Sequence, residues 1–409
     1  MRGNPTPRCS EYSSQRLAAA FAMSILFLIA GCGEDPTAPS LGGSNLGLAA
    51  TADATLEFRQ VSAGLAHTCG VTMENLAYCW GSNAYGEIGD GSTADRLIPT
   101  SVAGEHRFSE ISVGVDHSCG VTLEKRIYCW GRNGEGQVGD GNFGQRSVPT
   151  PVATALSFRS VDAGHVHTCA IEDLTNRAYC WGNNLDGALG DGTNQTRGTP
   201  VPVAGGLRWL QLSAGGLFTC GVDTGHRAYC WGKNRNGQLG DGTTGARTRP
   251  IRVAGGISFR QVSAGNGSHS CGVSVTDVTY CWGWNAMGQL GDGRTVQRLR
   301  PRAIASLNTW SQVSAGSFHT CALTLSQRAW CWGDNTSGEL GNGTAVSRRK
   351  PVLVGEGMPF RQVIAGYNHS CGVARLRQGY CWGLNSSGQL GAGDKGEHPS
   401  PTQVSNPAE

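Results

Sequence analysis

FRQVSAGLAHTCGVTMENLAYCWGSNAYGEIGDG, running from Phe58 to Gly91, is the stretch on which the fold turns. Its short runs of β-branched and aromatic residues are separated by glycine and polar clusters, as in strands joined by tight turns. It predicts strands over Phe58–Ala63, His67–Thr72 and Ala77–Trp80, then a glycine-rich loop, Gly81–Gly91, and a fourth strand near Pro99–Val102. Glycines in such a loop admit backbone angles that other residues avoid.

The stretch returns seven times, and its opening aromatic recurs as Phe58, Phe108, Phe158, Trp209, Phe259, Trp310 and Phe360 at spacings of 50 or 51 residues. Four short strands in a unit of that length point to an all-β fold of propeller blades or a solenoid. Composition agrees, since 62 glycines and only 15% charged residues favour short strands and turns over long amphipathic helices. The pairing of A-G-x-x-H-T/S with W-G-x-N-x-x-G-Q/E-L/I/V-G-D/N-G resembles the repeat of the RCC1 family and covers residues 58–404. Departures are small: Phe218 replaces the histidine in unit four, Ala188 the Gln/Glu in unit three and Ala392 the aspartate in unit seven. The resemblance implies a seven-bladed β-propeller of four-stranded blades over residues 56–405, with a short tail at 406–409. Closure is expected from pairing of the C-terminal strand, around Pro401–Val404, with the first unit, which leaves no open blade edge.

Fourteen of the sixteen cysteines fall in seven pairs: Cys69 and Cys79, Cys119 and Cys129, Cys169 and Cys180, Cys220 and Cys230, Cys271 and Cys281, Cys321 and Cys331, Cys371 and Cys381. If Cys69 lies opposite Cys79 across a hairpin, Gly70 faces Tyr78 and Thr68 faces Trp80. Opposed residues at a non-hydrogen-bonded strand position come within disulfide range. Zinc is the rival reading, but zinc cysteines are usually more closely spaced and gathered in fours. Disulfides are therefore expected in every unit, as structural staples.

Six histidines recur at one position, His67, His117, His167, His269, His319 and His369. Equivalent atoms on neighbouring blades stand too far apart to share a metal, so each is expected to bond within its own blade. Arg96, Arg146, Arg197, Arg247, Arg298 and Arg348 recur before the unit's proline, and the loop aspartates Asp90, Asp140, Asp191, Asp241 and Asp292 are their expected partners. An anion-binding ring of these arginines is the alternative. One carboxylate per G-D-G turn is too few for calcium. No nucleophile, base and orienting residue recur together, so no cofactor or catalytic residue is expected. An enzyme would need perturbed acids gathered in a pocket from several blades.

Residues 1–31 read as a targeting signal: arginines precede an apolar run, Leu17–Ala30, too short to span a bilayer comfortably. The run ends in Ile29-Ala30-Gly31-Cys32, which resembles a bacterial lipobox with Cys32 as the acylated first residue. Residues 32–55 then form a Gly/Ala/Ser/Thr/Pro-rich tether whose reach is roughly 25–30 Å. Removing Arg2, Arg8, Arg16 and Glu11 takes the charged residues from 33 basic and 30 acidic to 30 and 29, a net of +1. That balance argues against nucleic-acid binding. With export and nearly equal repeat lengths, it also opposes the nucleotide-exchange and chromatin roles of the family's founding member.

Function is therefore expected in positions that vary between units. These are the pair before each histidine, such as Ser317-Phe318 and Tyr367-Asn368, and the residues around the asparagine after W-G, including Tyr85, Leu185, Trp284 and Met287. Antiparallel order puts both sets on one face, whereas the opposite turns, such as Glu124-Lys125-Arg126, read as mainly polar. Tyr85, Trp284, Met287, Phe318 and Tyr367 are the expected anchors for a partner. The whole reads as a monomeric, disulfide-stapled scaffold on the bacterial cell envelope, binding a protein or glycan and touching the membrane only through its lipid.

Overall fold

The computed structural model describes residues 55–407. The targeting segment, Cys32 and all but the last residue of the tether lie outside the described residues. Within them, seven four-stranded sheets each take strand order one to four, so every sheet is a simple meander. In blade one the strands are Phe58–Ala63, His67–Thr72, Ala77–Gly81 and Arg96–Ser101. The first strands of neighbouring blades pack on one another all the way round, blade seven against blade one included. They line the axis, and the fourth strands form the rim. A seven-bladed β-propeller results, and the only helix among the described residues is the short turn Gly355–Gly357.

The hairpin register follows the cysteines. Cys69 lies opposite Cys79, Gly70 opposite Tyr78 and Thr68 opposite Trp80. All seven pairs are disulfides within their own blade, with Cα atoms 4.0–4.1 Å apart. A glycine or alanine faces the aromatic beside each bridge, leaving room for the blade's first aromatic; a Cβ on Gly70 would fall 2.5 Å from Phe58.

Apolar burial lies between the blades. Phe58, Val61 and Trp80 of blade one pack against Cys371, Val373, Cys381, Leu390 and Val404 of the last repeat, and the other seams repeat the pattern. Each fully buried side chain of this size contributes about 1.5–3 kcal/mol. Gly89 takes φ 78°, and a Cβ there would fall 2.7 Å from Trp130 Nε1. The glycine turn of one blade thus seats the tryptophan of the next.

Closure differs from the expectation. The C-terminal strand, His398–Gln403, pairs with Gly379–Gly383 of its own blade and not with the first unit. Each repeat begins at the axis and ends at the rim, so repeat and blade coincide and no strand is exchanged. The ring closes side to side, as at every other seam. Gln362 Nε2 donates to Val61 O at 3.1 Å, Val61 N donates to Gln362 Oε1 at 2.9 Å, and Phe58 N donates to Arg377 O at 2.8 Å.

Candidate functional site

The recurrent histidines act between blades rather than within them, against expectation. His67 Nε2 meets Ser118 Oγ of the next blade at 2.9 Å, and His369 meets Thr68 at 2.9 Å across the closing seam. Ser118 Oγ donates onward to Glu87 O at 3.0 Å, and Trp130 Nε1 donates to the same oxygen at 2.8 Å. With its proton so used, the serine accepts from His67 Nε2–H, which assigns the tautomer. Burial pushes His67, His117, His167, His269 and His319 down to about 3 and His369 to about 4. A second proton on Nδ1 finds no partner in the last five, among the described residues. These rings are neutral structural donors.

Five of the six arginines pair inside their own unit, and Arg348, whose unit has Asn342 in place of the aspartate, does not. Arg96, Arg146, Arg197, Arg247 and Arg298 meet Asp90, Asp140, Asp191, Asp241 and Asp292 at 2.5, 2.5, 3.3, 2.9 and 2.7 Å. Blade seven keeps the pairing in altered form, with His398 3.1 Å from Asp394. Asn83 organises the loop that these pairs close: its Oδ1 accepts from Ile88 N and its Nδ2 donates to Ser92 O and Ala94 O.

One pair of half-buried acids escaped the sequence reading. Burial raises Glu110 to about 8 and Asp162 to about 7, and both line a cavity of 190 Å³ beside Arg159. Asp162 Oδ1 accepts from Ala214 N at 2.8 Å, the bond that Ser62 makes to Val113 N in another blade. Glu110 stands where Gln60, Gln211 and Gln362 bridge neighbouring inner strands. Both acids occupy seam positions.

The two variable sets do share one end of the blades. Ser82 N donates to Ala66 O, Trp284 N to Ser268 O and Asp334 N to Phe318 O, which brings both variable sets to one end of each blade. There, Trp284, Phe318 and Tyr367 of blades five, six and seven form a row, with edge-to-face contacts at 5.6 and 5.7 Å between centroids. Each is half-buried. Met287 is exposed in the same loop as Trp284, whereas Tyr85 sits apart on blade one, with the Arg132 guanidinium 5.4 Å from its ring centre. The structure therefore gathers three of the five expected anchors. The opposite turns are less polar than expected, because Leu123, Leu174, Val275, Leu325 and Leu376 all project into solvent. They come one to a blade, and apolar residues scattered singly are ordinary on a protein surface.

Comparison with known proteins adds the family. The RCC1-like domain model matches residues 161–409, more than half of the chain. The chain belongs to the RCC1-like domain family. Models of the regulator of chromosome condensation repeat match the first repeats of the RCC1-like ring, at 74–121 and 124–171 and again at 58–87 and 108–137. Among solved structures, human WBSCR16 aligns with a TM-score of 0.74 and 18% identity, covering 81% of this chain and 95% of that one. Yeast RCC1 (Prp20), bound to Kap60, aligns at 0.72 and 19%, covering 86% and 85%. The ectodomain of the Arabidopsis receptor kinase ACR4 aligns at 0.52 and 20%, covering 86% and 99%. At such identities the likeness is one of fold.

Proposed function

We propose that this RCC1-like propeller is a non-catalytic display scaffold, exported, held to a bacterial envelope by a lipid on Cys32, and binding a protein through the row Trp284–Phe318–Tyr367. The row carries the reading. Its three aromatics touch each other across two seams and remain half-exposed, and contiguous aromatics at a surface are what interfaces are built on. Seven disulfides support export, because such bridges persist in oxidising compartments. Two relatives lend support in kind: yeast RCC1 is bound to a protein, Kap60, and the ACR4 propeller is an ectodomain.

The test is affinity capture from envelope extract with wild type and the Trp284→Ala, Phe318→Ala and Tyr367→Ala variants, each checked for folding. At least two variants should weaken capture of the same protein, each by about 2 kcal/mol or more if it is a hot spot. Intact-mass analysis should find a lipid-sized addition on Cys32. Unchanged capture by all three variants refutes the binding face, and a mature terminus elsewhere with unmodified Cys32 refutes the anchor.

A further inference from the structure

The rim of the ring is a circle of fourth strands, each an edge, and each carries a proline at the same position: Pro99, Pro149, Pro200, Pro250, Pro301, Pro351 and Pro401. Proline removes a backbone donor and blunts edge-to-edge pairing, so every blade already has that protection. Cations are added on three consecutive blades only. Their outer strands read RTRPIR (Arg247–Arg252), RLRPRA (Arg298–Ala303) and RRKPVL (Arg348–Leu353). The third position of that strand is Arg249, Arg300 and Lys350 here, but Ile98, Val148, Thr199 and Ser400 on the other four blades.

Arg247 and Arg298 are neutralised by Asp241 and Asp292. Eight further cations are not: Arg249, Arg252, Arg294, Arg300, Arg302, Arg348, Arg349 and Lys350 are all exposed. Among the described residues, none of their side chains makes an ion pair or a hydrogen bond. Arg348 joins them because its unit has Asn342 in place of the aspartate. No acid occurs in residues 242–254, 293–305 or 343–355.

The charges also cross the seams. A Cβ on Gly192 would fall 2.9 Å from Arg249 Nε, one on Gly242 2.8 Å from Arg300 Nε, and one on Gly293 3.0 Å from Lys350 Cε. Each of these side chains therefore lies over the glycine turn of the preceding blade. Two shallow grooves open along the belt, one lined by Arg298, Arg300 and Arg302 and the other by Arg348, Arg349 and Lys350. Like charges this close repel and destabilise the free protein, and a polyanion laid along them relieves that repulsion.

We propose that this belt binds a linear anionic polysaccharide, at a site separate from the aromatic row. The spread over three blades fits a chain and not a small anion. Seven of the eight cations are arginine, whose planar fork holds two oxygens of a carboxylate, sulfate or phosphate. This choice of polyanion rests on the export proposed above, which the disulfides support: an exported chain meets acidic glycans as its long polyanions.

The probes are labelled heparin and polygalacturonate, titrated against the full chain by fluorescence anisotropy. Affinity should rise with oligosaccharide length, as the polymer engages successive blades, and fall at least about tenfold between 50 and 200 mM salt. The triple variant Arg249→Gln/Arg300→Gln/Lys350→Gln should weaken binding at least about tenfold, because ionic contacts add in this way. The triple variant Arg177→Gln/Arg375→Gln/Lys395→Gln, which removes the same charge away from the belt, should leave it within about twofold. Equal weakening in both variants, or no binding to either glycan, overturns the site. Single-stranded DNA displacing heparin at lower concentration than heparin itself overturns the glycan assignment. So does belt-dependent binding to 1:1 phosphatidylglycerol–phosphatidylcholine vesicles that heparin fails to compete. None of these substitutions touches Trp284, Phe318 or Tyr367, so loss here and loss of the protein partner are read separately.

Discussion

Three buried serines should differ in worth because of one phenylalanine. Ser118, Ser270 and Ser370 are fully buried at equivalent positions, and each donates to a carbonyl of the preceding blade, at 3.0, 2.8 and 3.0 Å. A tryptophan Nε1 donates to the same carbonyl in each case, so replacing serine by alanine leaves no acceptor orphaned. Ser118 and Ser370 also accept from His67 and His319, at 2.9 and 2.8 Å. Ser270 has no such duty, because Phe218 stands where the histidine would be. Ser270→Ala should therefore cost about 1 kcal/mol, the worth of an ordinary hydrogen bond. Ser118→Ala and Ser370→Ala should each cost about 1–3 kcal/mol more, because a buried imidazole N–H is left without a partner. The assay is guanidinium unfolding at pH 7.5 with disulfides intact, comparing midpoints at unchanged slope. A double-mutant cycle of His67→Phe with Ser118→Ala should return the same 1–3 kcal/mol as coupling. Equal costs at all three serines, or no coupling in the cycle, would refute the histidine clamp.

Stability should peak between about pH 6 and 7. The six histidines have folded values far below 6.5, so the unfolded chain takes up protons first and stability is lost as pH falls from about 6.5 toward 3. Glu87, Glu110, Asp162 and Glu339, raised by burial to about 7, 8, 7 and 7, act oppositely and lose stability as pH rises through those values. A melting temperature that climbs steadily to pH 9 contradicts this balance. Glu110→Gln restores the bridging amide of other blades, so it should raise the unfolding free energy measured in urea, more at pH 9 than at pH 5, the difference being on the order of a few kcal/mol. An equal change at both pH values would show that Glu110 does not titrate as described. Removing one bridge as Cys169→Ala/Cys180→Ala should lower stability by about 2–3 kcal/mol without unfolding the ring. Non-reducing peptide maps should link cysteines only within units.

Much of the blade was legible because its signals are local. Strand alternation, the cysteine register and the glycine turns all act within a dozen residues, so Phe58–Ala63 and His67–Thr72 could be bounded from sequence. The seams were not legible in the same way. That His67 bonds Ser118 depends on how two units some fifty residues apart are set side by side, and the period reveals only that they are equivalent. The expected strand pairing at closure failed for the same reason. The row Trp284–Phe318–Tyr367 was visible as outliers on a shared face, but its contiguity needed the ring, and Tyr85 showed that sharing a face is not touching. The rim cations were hidden by averaging. A net charge near zero conceals RLRPRA and RRKPVL when the balancing acids lie elsewhere on the ring.

All seven covalent staples lie inside blades, and the seam between blades seven and one is held by noncovalent contacts alone. Both ends of the described chain converge on that seam, where Leu56 N donates to Asn406 Oδ1 at 3.2 Å and Phe58 N to Arg377 O. Tension applied at the amino end therefore enters the molecule at its one interruption in chain continuity. Under pulling, the ring should open there like a clasp, with blade one peeling from blade seven before any disulfide-crossed hairpin stretches. The mechanical threshold of the protein would then be set by a single interface repeated six times elsewhere under no such strain.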